Sequence, residues 1–120
     1  MKLLAIGLMV CNLSIVATMQ EADSYNPIET GNKLLRALNE PANSIQRALA
    51  TGYVQGVSNS MEVLYPNQSL SCTPEGLTVS QMLDVLKRYL ENHPETQDQP
   101  AIVLIVAATR QAFPCTKARK

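Results

Sequence analysis

Apolar residues recur every three to four positions in several stretches of the chain, which is the spacing of an amphipathic helix. The first stretch is residues 30–39, where Leu34, Leu35 and Leu38 fall on one helical face and Pro41 follows as a stop signal. A helix this short is not stable alone. The pattern therefore predicts a first helix that packs against others.

A second helix is predicted over about residues 43–60. Asn43 and Gln46 have the spacing of a capping pair at its start. Each glycine within a helix lowers the stability of that helix by about 1 kcal/mol. We therefore assign Gly52, Tyr53 and Gly56 to close packing against another helix or an aromatic ring. The alternative is that one of the glycines ends the helix. The predicted packing face comprises Ile45, Ala48, Leu49, Gly52, Gly56 and Val57.

Turn-forming residues dominate from Glu62 to Gly76, which predicts a loop. The clearest helix follows, over residues 78–91, with Thr78 and Gln81 spaced as a capping box. It should end near Asn92–Pro94. Asp84 and Arg88 on its polar side are spaced for a weak ion pair. Its apolar positions are Val79, Met82, Leu83, Leu86, Tyr89 and Leu90.

Residues 101–108 are apolar without interruption, so periodicity does not distinguish a buried strand from a buried helix. We favour a central helix with Pro100 just inside its start and an end near Ala112. The reason is that no other strong strand candidate exists to pair with a lone strand. Phe113 to Cys115 would then close the core. The prediction is an all-α fold: a small bundle of about four helices in one domain, residues 23–120.

Residues 1–22 have the layout of a secretory signal peptide, with Lys2 before a short apolar run. That run is about half of the roughly 20 residues that a membrane-spanning helix needs. We expect cleavage after Ala17 or Ala22 and no membrane association of the mature chain. Cys11 could instead be a lipoprotein acceptor, but a bulky residue precedes it, which favours an apolar residue in a discarded segment.

The chain has three cysteines. Signal removal takes away Cys11 and leaves Cys72 and Cys115. Two cysteines in an exported chain predict one disulfide, formed in an oxidising compartment. Closing a loop of about 43 residues should stabilise the fold by about 4 kcal/mol. We therefore expect a helical bundle that is cross-linked by a Cys72–Cys115 disulfide, and we expect the role of this disulfide to be structural.

Charge is balanced, with 10 Lys plus Arg against 10 Asp plus Glu. Because no cationic stripe exists to neutralise phosphates, we expect no nucleic-acid partner. An apolar fraction of 46% and a charged fraction of 17% are those of a folded chain and not of a disordered one.

Residues suited to catalysis are scarce. The one histidine, His93, lies in a polar Asn-His-Pro turn, and both remaining cysteines are expected to be oxidised, so no Cys–His pair is available. Glu91, Glu95 and Asp98 around it match no metal-ligand spacing. Phosphate loops and nucleophile turns are missing from the sequence. We expect a binding protein without enzymatic activity, metal or cofactor.

Four short motifs stand in a fixed order within about residues 30–115. They are Gly52-Tyr53-Val54-Gln55-Gly56-Val57, then Cys72-Thr73-Pro74-Glu75-Gly76-Leu77-Thr78 with Gln81, then Lys87-Arg88-Tyr89-Leu90 with His93-Pro94-Glu95, and finally Ala112-Phe113-Pro114-Cys115. Together they resemble the Rap/Tai-type periplasmic immunity proteins of the type VI secretion system, which protect bacteria against peptidoglycan amidase effectors.

The resemblance implies a small all-α fold, a periplasmic location, homodimerisation, and inhibition by covering the active site of a cognate amidase effector. Many members of this family carry a further cysteine pair near the positions of Ala37 and Ala50. Both positions are alanine here, so this chain would have one disulfide. The alternative function is a small periplasmic chaperone or binding protein of the same helical, disulfide-tied class with no toxin partner.

Occluding a cleft takes a rigid helix that presents placed polar groups, together with a loop. The polar side of the predicted helix over residues 78–91 and the loop over residues 92–98 meet this need. The candidate partner-binding residues are Asp84, Arg88, Glu91, Asn92, His93 and Glu95.

Overall fold

The computed structural model of the chain describes residues 28–64 and 71–115. Four α-helices and one short 3-10 helix make up this part of the chain, which contains no strand apart from an isolated bridge between Thr30 and Pro100. The prediction of an all-α fold of about four helices is confirmed. The helices are α1 (Gly31–Asn39), α2 (Ile45–Leu64), α3 (Val79–Asn92) and α4 (Ala101–Ala112), and the 3-10 helix is Pro94–Thr96.

The predicted signal peptide lies outside the described residues, as do Cys11 and the two candidate cleavage sites after Ala17 and Ala22. The export signal and the domain boundary at residue 23 therefore stay predictions.

Helix α1 is capped at both ends by hydrogen bonds. Thr30 accepts a bond from the Lys33 backbone N–H at 3.4 Å, which satisfies one of the free donors of the first turn. At the other end, the Arg47 guanidinium donates to the carbonyl oxygen of Leu38. A cation at a helix C-terminus is favourable because the unpaired carbonyls there carry partial negative charge. This contact holds the start of α2 against the end of α1.

Helix α2 differs from its predicted bounds. The Ser44 hydroxyl accepts from the Arg47 backbone N–H at 3.1 Å, so the cap is one residue later than the predicted Asn43. The helix continues to Leu64, past the predicted end at about residue 60, and carries the buried Met61. The loop that was expected from Glu62 onward is therefore wrong over its first three residues.

The buried face of α2 also differs from the predicted one. Its buried residues are Ala50, Val54 and Met61, and Val57 packs against the same core. Ile45 and Leu49 from the predicted face are exposed. Both sides of α2 carry apolar side chains, and the side with Val54 is the one that fits the space left by the other three helices.

Helix α3 begins and ends where its sequence signals place it. The capping box is formed: the Thr78 backbone N–H donates to Gln81 Oε1 at 2.9 Å, and the Gln81 backbone N–H donates to Thr78 Oγ1 at 3.2 Å. The helix stops at Asn92, before Pro94. Both predictions are confirmed.

The apolar run of residues 101–108 is helical, as predicted. Pro100 is the residue before α4 and not its first helical residue, and the helix ends at Ala112 as expected. Leu104 and Ile105 are buried, whereas Ile102 and Val103 on the other side are about half exposed. The apolar run therefore packs into the core with only one of its sides.

Buried side chains from all four helices meet in a single core. Ala37 and Ala50 both belong to it. Its largest fully buried members are Leu34, Leu38, Val54, Leu86, Leu90, Leu104 and Ile105. One core of this kind fixes the relative positions of all four helices.

The Cys72–Cys115 disulfide is formed, with the two Cα atoms 5.1 Å apart. Next to it, the Cys72 backbone N–H donates to the carbonyl oxygen of Phe113 at 2.9 Å. The segment before α3 is thus tied to the end of α4. The predicted Cys72–Cys115 bridge is confirmed.

Candidate functional site

The outer side of α3 carries a row of charged side chains. Asp84, Arg88 and Glu91 are all exposed, and at about 100° per residue they lie on one side of the helix. The opposite side is held in the core by Leu83, Leu86 and Leu90. Because three leucines anchor the helix, the charged side chains start from a backbone that is fixed by packing.

The ion pair on this surface is not the predicted one. The side chains of Lys87 and Glu91 lie 4.0 Å apart. Asp84 and Arg88, the pair expected from the sequence, form no ion pair with any residue that the structure describes. Such exposed pairs contribute little to stability. Asp84 and Arg88 therefore remain available for a partner.

The segment after α3 is held by hydrogen bonds to the end of that helix. The His93 ring stacks on Tyr89, with centroids 4.2 Å apart, and its Nδ1 donates to the Tyr89 carbonyl oxygen at 2.8 Å. The side chain of Gln97 donates to the carbonyl oxygen of Leu90 at 2.8 Å. Two of the free carbonyls that end every helix are satisfied in this way.

The same segment is joined to the start of α1. The backbone N–H of Gly31 donates to the Gln99 carbonyl oxygen at 3.0 Å, and that of Asn32 donates to the Gln97 carbonyl oxygen at 2.8 Å. The Asn32 side chain also donates to Asp98 Oδ1 at 2.7 Å. Residues 93–99, which we call the anchored loop, are therefore fixed on two sides.

Of the candidate residues in this region, Asn92 at the end of α3 and Glu95 in the anchored loop are exposed. His93 is half-buried and engaged with Tyr89, so its side chain holds the loop in place. The predicted residues therefore lie on two neighbouring stretches of the chain, α3 and the anchored loop that follows it. Their role in binding a partner stays a prediction.

A second surface, on α2, was expected to be a packing face. Tyr53 is half-buried and packs against the core. Gly52 and Gly56 are exposed, and a Cβ atom added to either would meet nothing within 4 Å. Any close packing at the two glycines therefore involves no part of the chain that the structure describes. The pair of glycines in one helix was the sequence signal for this surface.

The described residues form neither a metal-binding cluster nor a membrane-spanning helix. Within residues 28–64 and 71–115, no group of three or more His, Cys, Asp or Glu side chains is arranged to hold a metal ion. None of the helices in that part of the chain combines the length and the apolar character needed to cross a membrane.

Comparison with known proteins identifies one family. A family model described as Rap1a immunity proteins matches residues 30–115. The matched range contains all four helices and both bridged cysteines. No curated protein and no solved structure matches the chain significantly.

Proposed function

Because the chain belongs to the Rap1a immunity protein family, we propose that it is a periplasmic immunity protein against a type VI secretion effector. Its partner would be a peptidoglycan amidase, whose active site it covers, and it would act as a homodimer without catalysing a reaction. The producing cell or its siblings would be protected. The observation that carries the proposal is the family match over residues 30–115.

The disulfide supports the proposed compartment. Disulfides persist where the environment is oxidising, as in the bacterial periplasm, and are rare in the cytosol. The Cys72–Cys115 bridge joins two distant parts of the chain, and so contributes to the stability of the exported form. An amidase that cleaves peptidoglycan acts in the same compartment, so inhibitor and target would meet there.

The surface formed by α3 and the anchored loop suits an inhibitor. Binding costs less when the groups that make contact are already ordered. Here the helix is anchored by buried leucines and the loop by hydrogen bonds to α1 and α3. Asp84 and Arg88, exposed and without an ion-pair partner among the described residues, are therefore available to form charge-assisted hydrogen bonds with the rim of an active site at little cost in conformational entropy.

The test is protection from the toxin encoded beside the gene. That toxin is directed to the periplasm with and without this chain, and cell lysis is scored. We expect lysis only when the chain is missing, and a stable complex when the two purified proteins are mixed. Absence of a complex with every co-encoded toxin would reject the proposal, and suppression of client aggregation would then favour the chaperone alternative.

Reversing one charge on α3 should weaken the complex. Arg88→Glu replaces an exposed cation by an anion on the proposed surface, and we expect the dissociation constant from the toxin to rise about 30-fold, which corresponds to about 2 kcal/mol. The matched control is Arg36→Glu, which makes the same charge change at an exposed position of α1. Titration calorimetry measures both. Equal affinities of the two variants would place the toxin contact elsewhere.

A further inference from the structure

A cavity lies between the second half of α2, the segment before α3 and the start of α3. Its volume is about 220 Å³. Since an apolar cavity of about 150 Å³ holds a six-carbon ring, this one has room for a ligand of about six to ten non-hydrogen atoms. The apolar side chains that line it come from three parts of the chain: Val54 and Met61 of α2, Leu77 of the segment before α3, and Val79 and Met82 of α3.

The wall of this cavity contains a hydroxyl group that no described residue satisfies. Ser58 lines the cavity, and its Oγ atom is buried without a hydrogen-bond partner in the part of the chain that the structure describes. Other hydroxyls on these helices differ: those of Thr51, Ser60 and Thr109 each donate to the carbonyl oxygen four residues earlier. A buried polar atom without a partner is destabilising and rare. The Ser58 hydroxyl is therefore the group to which a ligand in the cavity would bond.

The solvent side of the cavity carries a negative charge. Glu62 is exposed and, among the described residues that line the cavity, is the one with an ionisable side chain. The Thr73 hydroxyl donates to Glu62 Oε1 at 3.4 Å, which holds the carboxylate between α2 and the segment before α3. A carboxylate accepts several hydrogen bonds, so an ammonium group can bind to it as well. Because no lysine or arginine is among the described lining residues, the cavity favours a cation over an anion.

The positions of these two groups set the shape of the ligand. Ser58 and Glu62 are four residues apart in α2, so they lie on the same side of the helix with their Cβ atoms about 5–6 Å apart. Moving a charge into an apolar interior is costly, whereas a neutral hydroxyl or amide needs only a partner there. The ammonium group therefore belongs at Glu62 and the neutral polar group at Ser58. Thr109 also lines the cavity, is buried, and has an oxygen that can accept a further hydrogen bond.

We propose that the cavity between α2 and the start of α3 binds a small primary amine that carries a hydroxyl or amide group about four carbon atoms away. The ammonium group pairs with Glu62, the neutral group bonds to Ser58 Oγ, and the carbon chain packs against Met61 and Met82. This inference goes beyond the proposed function. The cavity shares no lining residue with the charged row of α3 or with the anchored loop, so its test needs no toxin.

Four probes of similar size test the site in the oxidised chain that begins at Asp23. They are a straight-chain aminobutanol with its two groups at opposite ends, butylamine, butanol and hydroxybutyrate. Met61 and Met82 are the two methionines of that chain and both line the cavity, so their methyl resonances report binding. We expect aminobutanol to bind with a dissociation constant of about 1 mM. Butylamine and butanol should each bind about 5-fold more weakly, because each lacks one of the two contacts. Hydroxybutyrate should bind most weakly, because Glu62 repels its carboxylate.

Two substitutions assign the two ends of the ligand. Ser58→Ala should weaken the binding of aminobutanol about 5-fold and leave that of butylamine unchanged, because butylamine has no group for Ser58. Glu62→Gln should weaken the binding of both amines and leave that of butanol unchanged. The matched controls are Ser60→Ala, which removes a hydroxyl that is already bonded to the Gly56 carbonyl oxygen, and Glu75→Gln, which removes an exposed charge near the cavity but not in its lining. Both controls should bind aminobutanol as the unaltered protein does.

The pattern across probes and variants decides the outcome. Methionine shifts that saturate with aminobutanol, and that weaken in the Ser58 and Glu62 variants but not in their controls, support the site. Absence of saturable shifts with all four probes would overturn the proposal. So would hydroxybutyrate binding as tightly as aminobutanol, since the charge at Glu62 would then play no part, or a Ser58→Ala variant that binds aminobutanol with unchanged affinity.

Discussion

Replacing both Cys72 and Cys115 by Ser should lower the free energy of unfolding by about 4 kcal/mol. The bridge spans 43 residues of sequence, and its removal restores to the unfolded chain the freedom that closing this loop removes. Small domains have a total stability of about 5–15 kcal/mol. The loss is therefore a large fraction of the whole, and the variant should be only marginally folded at 37 °C.

Urea unfolding followed by circular dichroism measures the effect. The unaltered protein is compared with and without reductant, and the double Ser variant is the control, because reductant should leave its midpoint unchanged. The reduced protein and the variant should unfold at about the same urea concentration. A reduced protein that keeps the midpoint of the oxidised one would show that the bridge adds nothing to stability.

Loss of the disulfide should also affect the proposed toxin-binding surface. Cys72 lies a few residues before the capping box that starts α3, and its backbone N–H bonds to Phe113 at the end of α4. Without the bridge, the segment before Thr78 would be held by the backbone bond from Cys72 to Phe113 and by the long hydrogen bond from Thr73 Oγ1 to Glu62 Oε1 at 3.4 Å. Protein retained in the reducing cytosol should therefore be both less stable and a weaker inhibitor than exported protein.

Local signals in the sequence were sufficient to predict most of the helices. The start of α3 follows from Thr78 and Gln81 because a capping box involves only residues close in sequence, and its charged row follows from the helical period. The helical state of residues 101–112 followed from the lack of a partner strand. The disulfide could be predicted because removal of the predicted signal peptide would leave Cys72 and Cys115 as the one possible pair.

The orientation of α2 could not be predicted in the same way. Both of its sides carry apolar residues at helical spacing, so periodicity gives two candidate core faces, the one through Ile45 and Leu49 and the one through Val54 and Met61. The choice depends on how well each fills the space between α1, α3 and α4. That space is a property of the assembled bundle. The structure was therefore needed to show that the glycine side of α2 is the exposed one.

The rigidity of the anchored loop was likewise not predictable, although its candidate binding residues were. Its polar residues are typical of any loop that connects two helices. The hydrogen bonds that fix it come from Gly31 and Asn32, which are distant in sequence. Only a folded chain brings the start of α1 beside Gln97 and Gln99. The same contact makes Gly31 the glycine for which a side chain is least tolerable.

Gly31→Val should lower the free energy of unfolding by about 3 kcal/mol. A Cβ atom at Gly31 would overlap the side chain of Leu104 and lie 2.9 Å from the carbonyl oxygen of Gln97. Leu104 is 1% exposed, so its side chain can move only among the other side chains of the core. The backbone at Gln97 is held by the N–H of Asn32, so relieving the overlap means breaking bonds of the anchored loop. Either response is costly in a closely packed interior.

The matched substitution is Gly52→Val, which places the same side chain in another helix where nothing lies within 4 Å. Urea unfolding at a concentration low enough to keep the chain monomeric should show a large loss for Gly31→Val and a small change for Gly52→Val. Because the overlap displaces the loop that carries His93 and Glu95, the Gly31 variant should also bind the toxin more weakly at temperatures where it is still folded. Full toxin affinity in a destabilised Gly31 variant would show that the anchored loop is not part of the inhibitory surface.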